Sequence, residues 1–440
     1  MITAHEGEGS ARAIETRFNL VEALSFAAPQ SALIEAANVQ RLGTRHFGSN
    51  HPWAMRMGVH MGWIERQLGE PQKAITDVQA ALRMPAPAGV DVRALTLTGQ
   101  ATIGEAQLDL GRYEAARETF EAILAQAPAV PGFGTSNVLA VRYGVIGAYG
   151  YSGDFEALLK HGVPLLADIE RTLGPRSDMA LLTRESLAQG LARLGRFTDA
   201  IQMQAPVLRA YDDGPDRDNE NGYQARAVYA QLLTAAERAG EAVPLARAAV
   251  RYFDTAYPKP EVLRETRRFW LALALIRANR LPEAATVLAQ TVANMQVLPN
   301  VQSNPRFADV LLAQGVVAFR QGDGAGAVAM LERACALMDR ASSLVPGPRL
   351  RCAVHLTFAR VAHAEPGENA SLAAFEQRAQ AYRKSLPEGH VARAELQLLH
   401  AELLAHAGDG VGAARVQQLG AAAWLRAIGR PATSRVVLLH

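Results

Sequence analysis

Along residues 101–128, ATIGEAQLDLGRYEAARETFEAILAQAP, apolar and small side chains recur every three to four positions, break at Gly111 and resume until Pro128. The pattern predicts two helices joined by a tight turn. Gly104 and Ala106 lie on the first helix, Ala116, Phe120 and Ile123 on the second, and Pro128 stops it. A lone hairpin of this kind has an apolar face it cannot bury, so further copies are required. Gly62, Gly69, Ala74 and Ala81 precede Gly104, Gly111, Ala116 and Ile123 by 42 positions each, and the turn glycines continue at the same spacing through Gly153 and Gly195. Beyond Gly195 the period loosens while the pattern persists, with turns expected at Gly240, Asn279, Gly322 and Gly408 and a longer one at Pro366 and Gly367. Asn279 is a workable substitute because Asn tolerates the left-handed conformation that Gly usually supplies after a helix.

About nine helical hairpins result. The expected organisation is a disordered lead-in over 1–11, a weak hairpin over 12–52 split at Pro29, a repeat array over 53–428 and a tail over 429–440. The connections carry Gly, Pro and polar residues, and none is long enough for a domain linker, so one continuous array is expected.

At this point the chain resembles the tetratricopeptide repeat family. The likeness rests on the small first-helix position (Gly62, Gly104, Ala188, Gly315, Ala401), the turn glycines, and the small second-helix position (Ala74, Ala116, Ala200, Ala284, Ala327, Ala413). The spacing of 42 and linkers such as Leu173-Gly174-Pro175-Arg176-Ser177-Asp178 are similar to the long repeats of kinesin light chain and of many bacterial signalling proteins. The resemblance covers roughly residues 50–428. It implies an all-α fold, a right-handed α-solenoid of tetratricopeptide-like hairpins, with a concave face formed by the first helices that binds a peptide or protein. The repeats at Gly153 and Gly240 depart from the pattern at the second small position. The carboxylate clamp of some relatives has no counterpart either, since the corresponding positions include Val59, Trp63 and Thr102.

Composition supports helices packed through small contacts: the chain is 49% hydrophobic and only 6% aromatic. A formal net charge of +2 argues against general nucleic-acid affinity. Cys335 and Cys352 lack the short spacing of a metal or redox pair, and buried free thiols are expected. The N-terminus has no secretory pattern, and the longest apolar runs, 269–276 and 310–319, fall below the roughly eighteen residues of a spanning helix. A cytoplasmic protein without a membrane segment is expected.

Catalytic signatures are lacking: the sequence holds no phosphate loop, no HExxH and no GxSxG. The glycine strings at 322–327 and 408–413 read as turns, and His355, His363, His390, His400 and His406 do not share the spacing of a metal site, so neither cofactor nor metal is expected. The candidate chemistry is an arginine two residues before the turn in four consecutive repeats: Arg193, Arg238, Arg277 and Arg320. Such residues offset the negative end of a helix dipole. Facing a groove, they would form a row suited to an acidic or phosphorylated segment, with Phe269 and Phe319 as apolar anchors. The expected function is therefore a non-catalytic scaffold that binds a protein or peptide. The alternative is a sensor module of a bacterial signalling protein whose effector domain lies elsewhere, and the Ala-rich terminal surface leaves homodimerisation open.

Overall fold

The computed structural model describes residues 10–49, 51–85, 89–215, 217–299, 301–340, 347–363 and 371–429. Most of the lead-in, the turn at Pro366 and Gly367, and the tail from 430 onward lie outside them. Among the described residues there are twenty α-helices, two single 3-10 turns and no strand. Two compact units, Met1–Gly190 and Leu191–His440, divide the chain.

In the first unit, α1 (Ala11–Ala27) and α2 (Pro29–Phe47) form the opening hairpin. The repeats follow as α3 (Pro52–Gln67) with α4 (Pro71–Leu82), α5 (Arg93–Asp109) with α6 (Tyr113–Gln126), and α7 (Thr135–Ser152) with α8 (Phe155–Leu173). Helix α9 (Asp178–Arg193) reaches the second unit, where α10 (Phe197–Asp212) pairs with it in sequence. Then come α11 (Glu220–Ala235) with α12 (Ala239–Ala256), α13 (Val262–Arg277) with α14 (Leu281–Gln296), and α15 (Pro305–Arg320) with α16 (Gly324–Arg340). The last two pairs are α17 (Gly347–Ala362) with α18 (Leu372–Lys384), and α19 (Val391–His406) with α20 (Gly410–Ile428). Among the described residues the protein is all-α, an opening pair followed by nine further helix pairs in the sequence order of a helical-repeat solenoid.

Among the described residues one turn geometry recurs eight times. A backbone N–H reaches back to the carbonyl five residues earlier, from Glu70 to Glu65 (3.0 Å), Arg112 to Gln107 (2.8 Å), Arg196 to Leu191 (2.8 Å), Arg238 to Leu233 (2.8 Å) and Arg280 to Leu275 (2.8 Å), and likewise at Asp154, Asp323 and Asp409. This bond closes the helix end when the intervening residue turns left-handed. The intervening residues are Gly69, Gly111, Gly153, Gly195, Glu237, Asn279, Gly322 and Gly408, all with positive φ. The fifth turn is therefore at Glu237 (φ 58°), and Gly240 lies inside α12. The period of 42 does not loosen after Gly195; it holds from Gly69 to Asn279. A glycine marks the wrong residue here because a glutamate has taken the left-handed position, at a cost of about 1–2 kcal/mol in backbone strain.

The corrected register also supplies the small residue that seemed to be missing. Ala242 takes the position held by Ala74, Ala116, Ala200, Ala284 and Ala327, and all six are fully buried. In the Gly153 repeat the position is Leu158, and the volume is given up by its neighbours instead. A Cβ on Gly150 or on Gly190 would lie 2.9 Å from a Leu158 methyl carbon. Polar contacts link successive first helices at almost the same period: Arg66 to Asp109 (3.2 Å), Tyr143 to Ser186 (3.4 Å), Arg267 to Gln224 (2.9 Å) and Arg351 to Asp309 (2.6 Å).

Cys335 of α16 and Cys352 of α17 are joined in a disulfide, with Cα atoms 5.6 Å apart. This corrects the expectation of free thiols, which rested on sequence spacing alone. The two helices pack side by side and bring together cysteines 17 residues apart. Closing a loop of that size restricts the unfolded chain by about 3 kcal/mol. Reduction should therefore lower the thermal midpoint of the second unit, a shift measurable by comparing melts with and without reductant.

Candidate functional site: the arginine row and the helix it holds

The site is best built from α19, VARAELQLLHAELLAH. Glu395 and Glu402 are seven residues apart and share one face of the helix, with Leu399 between them. His390 caps the start, its Nδ1 accepting from the Ala392 N–H at 3.1 Å. This face meets the turn ends of the earlier first helices in order. His390 lies against Gly195 and edge-on to Phe197. Glu395 accepts from Arg277 at the end of α13, and Glu402 accepts from Arg320 at the end of α15 at 3.3 Å. Leu399 joins Val316, Phe319 and Phe358 in a small apolar cleft.

Arg277 is the centre. Its second η nitrogen lies 2.9 Å from Glu237, the residue in the strained fifth turn, and Trp424 of α20 places its ring 5.8 Å from the guanidinium carbon. All three charged side chains are 1% exposed or less. Burial opposes the charge on Arg277, while Glu395 and Glu237 together hold its pKa above the ordinary arginine value. Burial raises Glu395 to about 7, against the pull of Arg277. One guanidinium shared by two carboxylates favours keeping a proton on Glu395 near neutrality.

The remaining predicted residues take different places. Arg193, at the end of α9, has its pKa lowered by burial and by the like charges of Arg351 and Arg306, with Asp309 opposing them. Arg238 follows the true turn instead of preceding it. It caps α12 and donates to Glu241 at 2.7 Å, as Arg196 does to Asp199 (2.9 Å) and Arg280 to Glu283 (2.7 Å). Phe269 is buried beneath the Arg306 guanidinium, 5.5 Å from its ring centre. Phe319 packs edge-on against Phe358 at 5.3 Å and lines the Leu399 cleft. The structure thus gathers Arg277, Arg320 and Phe319 around α19, and leaves Arg238 and Phe269 out of that contact.

Glu237, Glu395 and Glu402 escaped the sequence reading. Unbroken counting by 42 from Gly195 leads to Glu237, and the spacing of seven on α19 is visible in the sequence. Gly195 is constrained twice, by φ +78° and by His390, which a Cβ would approach to 3.1 Å. Gly69 has the same backbone (φ +79°) and nothing within 4 Å of a Cβ. Gly69→Ala should cost about 1 kcal/mol for the conformation alone. Gly195→Ala should cost roughly 1–3 kcal/mol more for the contact, read by denaturant unfolding followed locally by hydrogen exchange.

Residues 61–131 and 271–343 match the tetratricopeptide repeat family. Each stretch spans hairpins with the recurring turn and the small helix-crossing positions described above. Both stretches are tetratricopeptide repeats. Solved structures share the fold over most of the chain's length. The apo form of RapI superimposes with a TM-score of 0.60 at 8% identity, covering 84% of this chain and 97% of that one. The apo form of the quorum sensor NprR from B. thuringiensis gives 0.58 at 10% identity over 84% and 97%. A Rap protein complexed with competence and sporulation factor gives 0.53 at 13% over 76% and 88%. No curated protein sequence matches this chain. Among its described residues, no helix is long and apolar enough to cross a membrane.

Proposed function

We propose that this protein is a non-catalytic, cytoplasmic scaffold that holds an acidic peptide or protein segment against the turn ends of its first helices in the second unit. One observation carries the reading: this surface already receives a helix, through carboxylates placed on Arg277 and Arg320. Guanidinium–carboxylate contacts of this kind give both charge preference and geometric selectivity. The three solved structures of similar fold include a quorum sensor and a Rap protein complexed with competence and sporulation factor, which fits a role in recognition. Used as the sensing part of a larger signalling protein, the same surface would read out the partner's arrival.

The test compares affinity capture by the wild type and by the double variant Arg193→Ala, Arg320→Ala, after both show the same helicity. Arg277 is left intact because its removal threatens folding. A partner held by the wild type, lost by the variant and mapped to an acidic segment supports the reading. Equal retention by both chains removes the arginines from recognition.

A further inference from the structure

Helix α19 occupies the surface that the proposed function assigns to a partner, and the following inference rests on that assignment. We infer that α19 is a built-in competitor for the arginine row, and that the partner is an acidic amphipathic helix. Such a helix carries two carboxylates seven residues apart with a leucine between them, and it binds when the hairpin of α19 and α20 lifts away.

The pattern required of the partner is read from α19 itself. Glu395 meets Arg277, Leu399 enters the cleft of Val316, Phe319 and Phe358, and Glu402 meets Arg320. A helix seven residues on has advanced almost two turns, so both carboxylates point the same way about 10 Å apart. A segment lacking either carboxylate could satisfy only one of the two arginines.

Release is made feasible by Glu237. Removing one member of a buried ion pair ordinarily leaves the other charge uncompensated, and that residue then blocks the exchange. Here Arg277 keeps a carboxylate at 2.9 Å after Glu395 has left, because Glu237 stays with α11 and α12. A glutamate is an expensive choice at that turn, where Gly or Asn serves the other repeats. Its side chain has a use the backbone alone does not explain: it neutralises Arg277 in the open state and repels Glu395 in the closed one. The Glu402 contact is half-open to solvent, with side-chain exposures of 12% for Arg320 and 30% for Glu402.

The probe is a labelled synthetic peptide of residues 389–408, titrated against the full chain, with hydrogen exchange of α19 recorded in parallel. In the double variant Glu395→Gln, Glu402→Gln the closed contact is weakened, and the peptide should bind at least tenfold more tightly than to the wild type, with faster exchange across α19. Glu237→Gln should act in the opposite direction, slowing exchange in α19 and weakening the peptide, because the carboxylate that holds Arg277 in the open state and repels Glu395 in the closed one is gone. A simple loss of stability would move both variants the same way. Peptide binding that is equal in all three chains, or a Glu237→Gln chain that opens like the double variant, overturns the competitor. If that happens while an acidic partner is still lost from Arg193→Ala, Arg320→Ala, the scaffold reading stands without it.

Discussion

Replacing Arg277 with Met will destabilise the second unit by about 3–5 kcal/mol, the largest single effect expected in that unit. The substitution keeps the length of the side chain and removes its charge, which takes from buried Glu237 and Glu395 the guanidinium they share. The carboxylates make the loss. Adding Glu237→Gln and Glu395→Gln in the same chain should therefore recover most of it, since a neutral buried cluster of similar volume is often as stable as the ionic one. Glu395→Gln alone should be mild, because Arg277 retains Glu237. The wild type, Arg277→Met, the Glu237→Gln, Glu395→Gln double variant and the triple variant form a cycle whose coupling is measured by denaturant unfolding, with hydrogen exchange used to assign the change to the second unit, as a chain of two units need not unfold in a single step.

The same cluster fixes a pH dependence with a definite sign. Burial raises Glu395 from the ordinary glutamate value to about 7, so the folded chain binds a proton more tightly than the unfolded chain. Its stabilising effect is complete below pH 4.5 and disappears as the pH rises through 7. Over that window the contribution falls by roughly 3 kcal/mol at most. Glu395→Gln should flatten this part of the stability profile, and a wild type whose second unit grows more stable from pH 5 to 7 through this residue would contradict the assignment.

These expectations depend on a residue that the sequence presents as ordinary. The hairpins were legible because glycine at a left-handed turn leaves a mark at a regular interval, and because small residues must stand where helices cross. Glu237 breaks the first mark without breaking the geometry, and the eye moves to Gly240, three residues too late. That shift carried Arg238 into a row to which it does not belong. Arg277 and Arg320 were placed correctly before their turns, yet their partners are 118 and 82 residues further along. No periodicity within a hairpin reports a contact of that separation. It arises when the last pair of helices comes to lie against the ends of earlier ones, and only the accumulated geometry of several repeats determines which glutamate meets which arginine. The Cys335 to Cys352 bridge was hidden for the same kind of reason, since 17 residues become neighbours only once α16 and α17 are packed.

The first unit has its own critical side chain, and Phe120→Ala should cost it about 3–5 kcal/mol. Phe120, on α6, is 1% exposed and packs with Leu97, Ile123, Phe133, Val141 and Val145. Its ring fills a notch that two glycines create. A Cβ on Gly104 would stand 2.7 Å from the ring, and one on Gly144 would stand 2.6 Å from it. Removing the ring leaves a space walled partly by the bare backbones of α5 and α7, which have no side chain there to swing inward, so the upper part of the range is expected. The converse change tests the same fit. Gly144→Ala overfills the notch and should cost roughly 1–3 kcal/mol. Combined with Phe120→Leu, the added methyl occupies part of the volume that the ring gave up, and the double variant should be more stable than the sum of the two single effects predicts. Strict additivity in urea unfolding of the first unit would mean that ring and glycine do not share a contact, and that the notch is not what keeps Gly144 small.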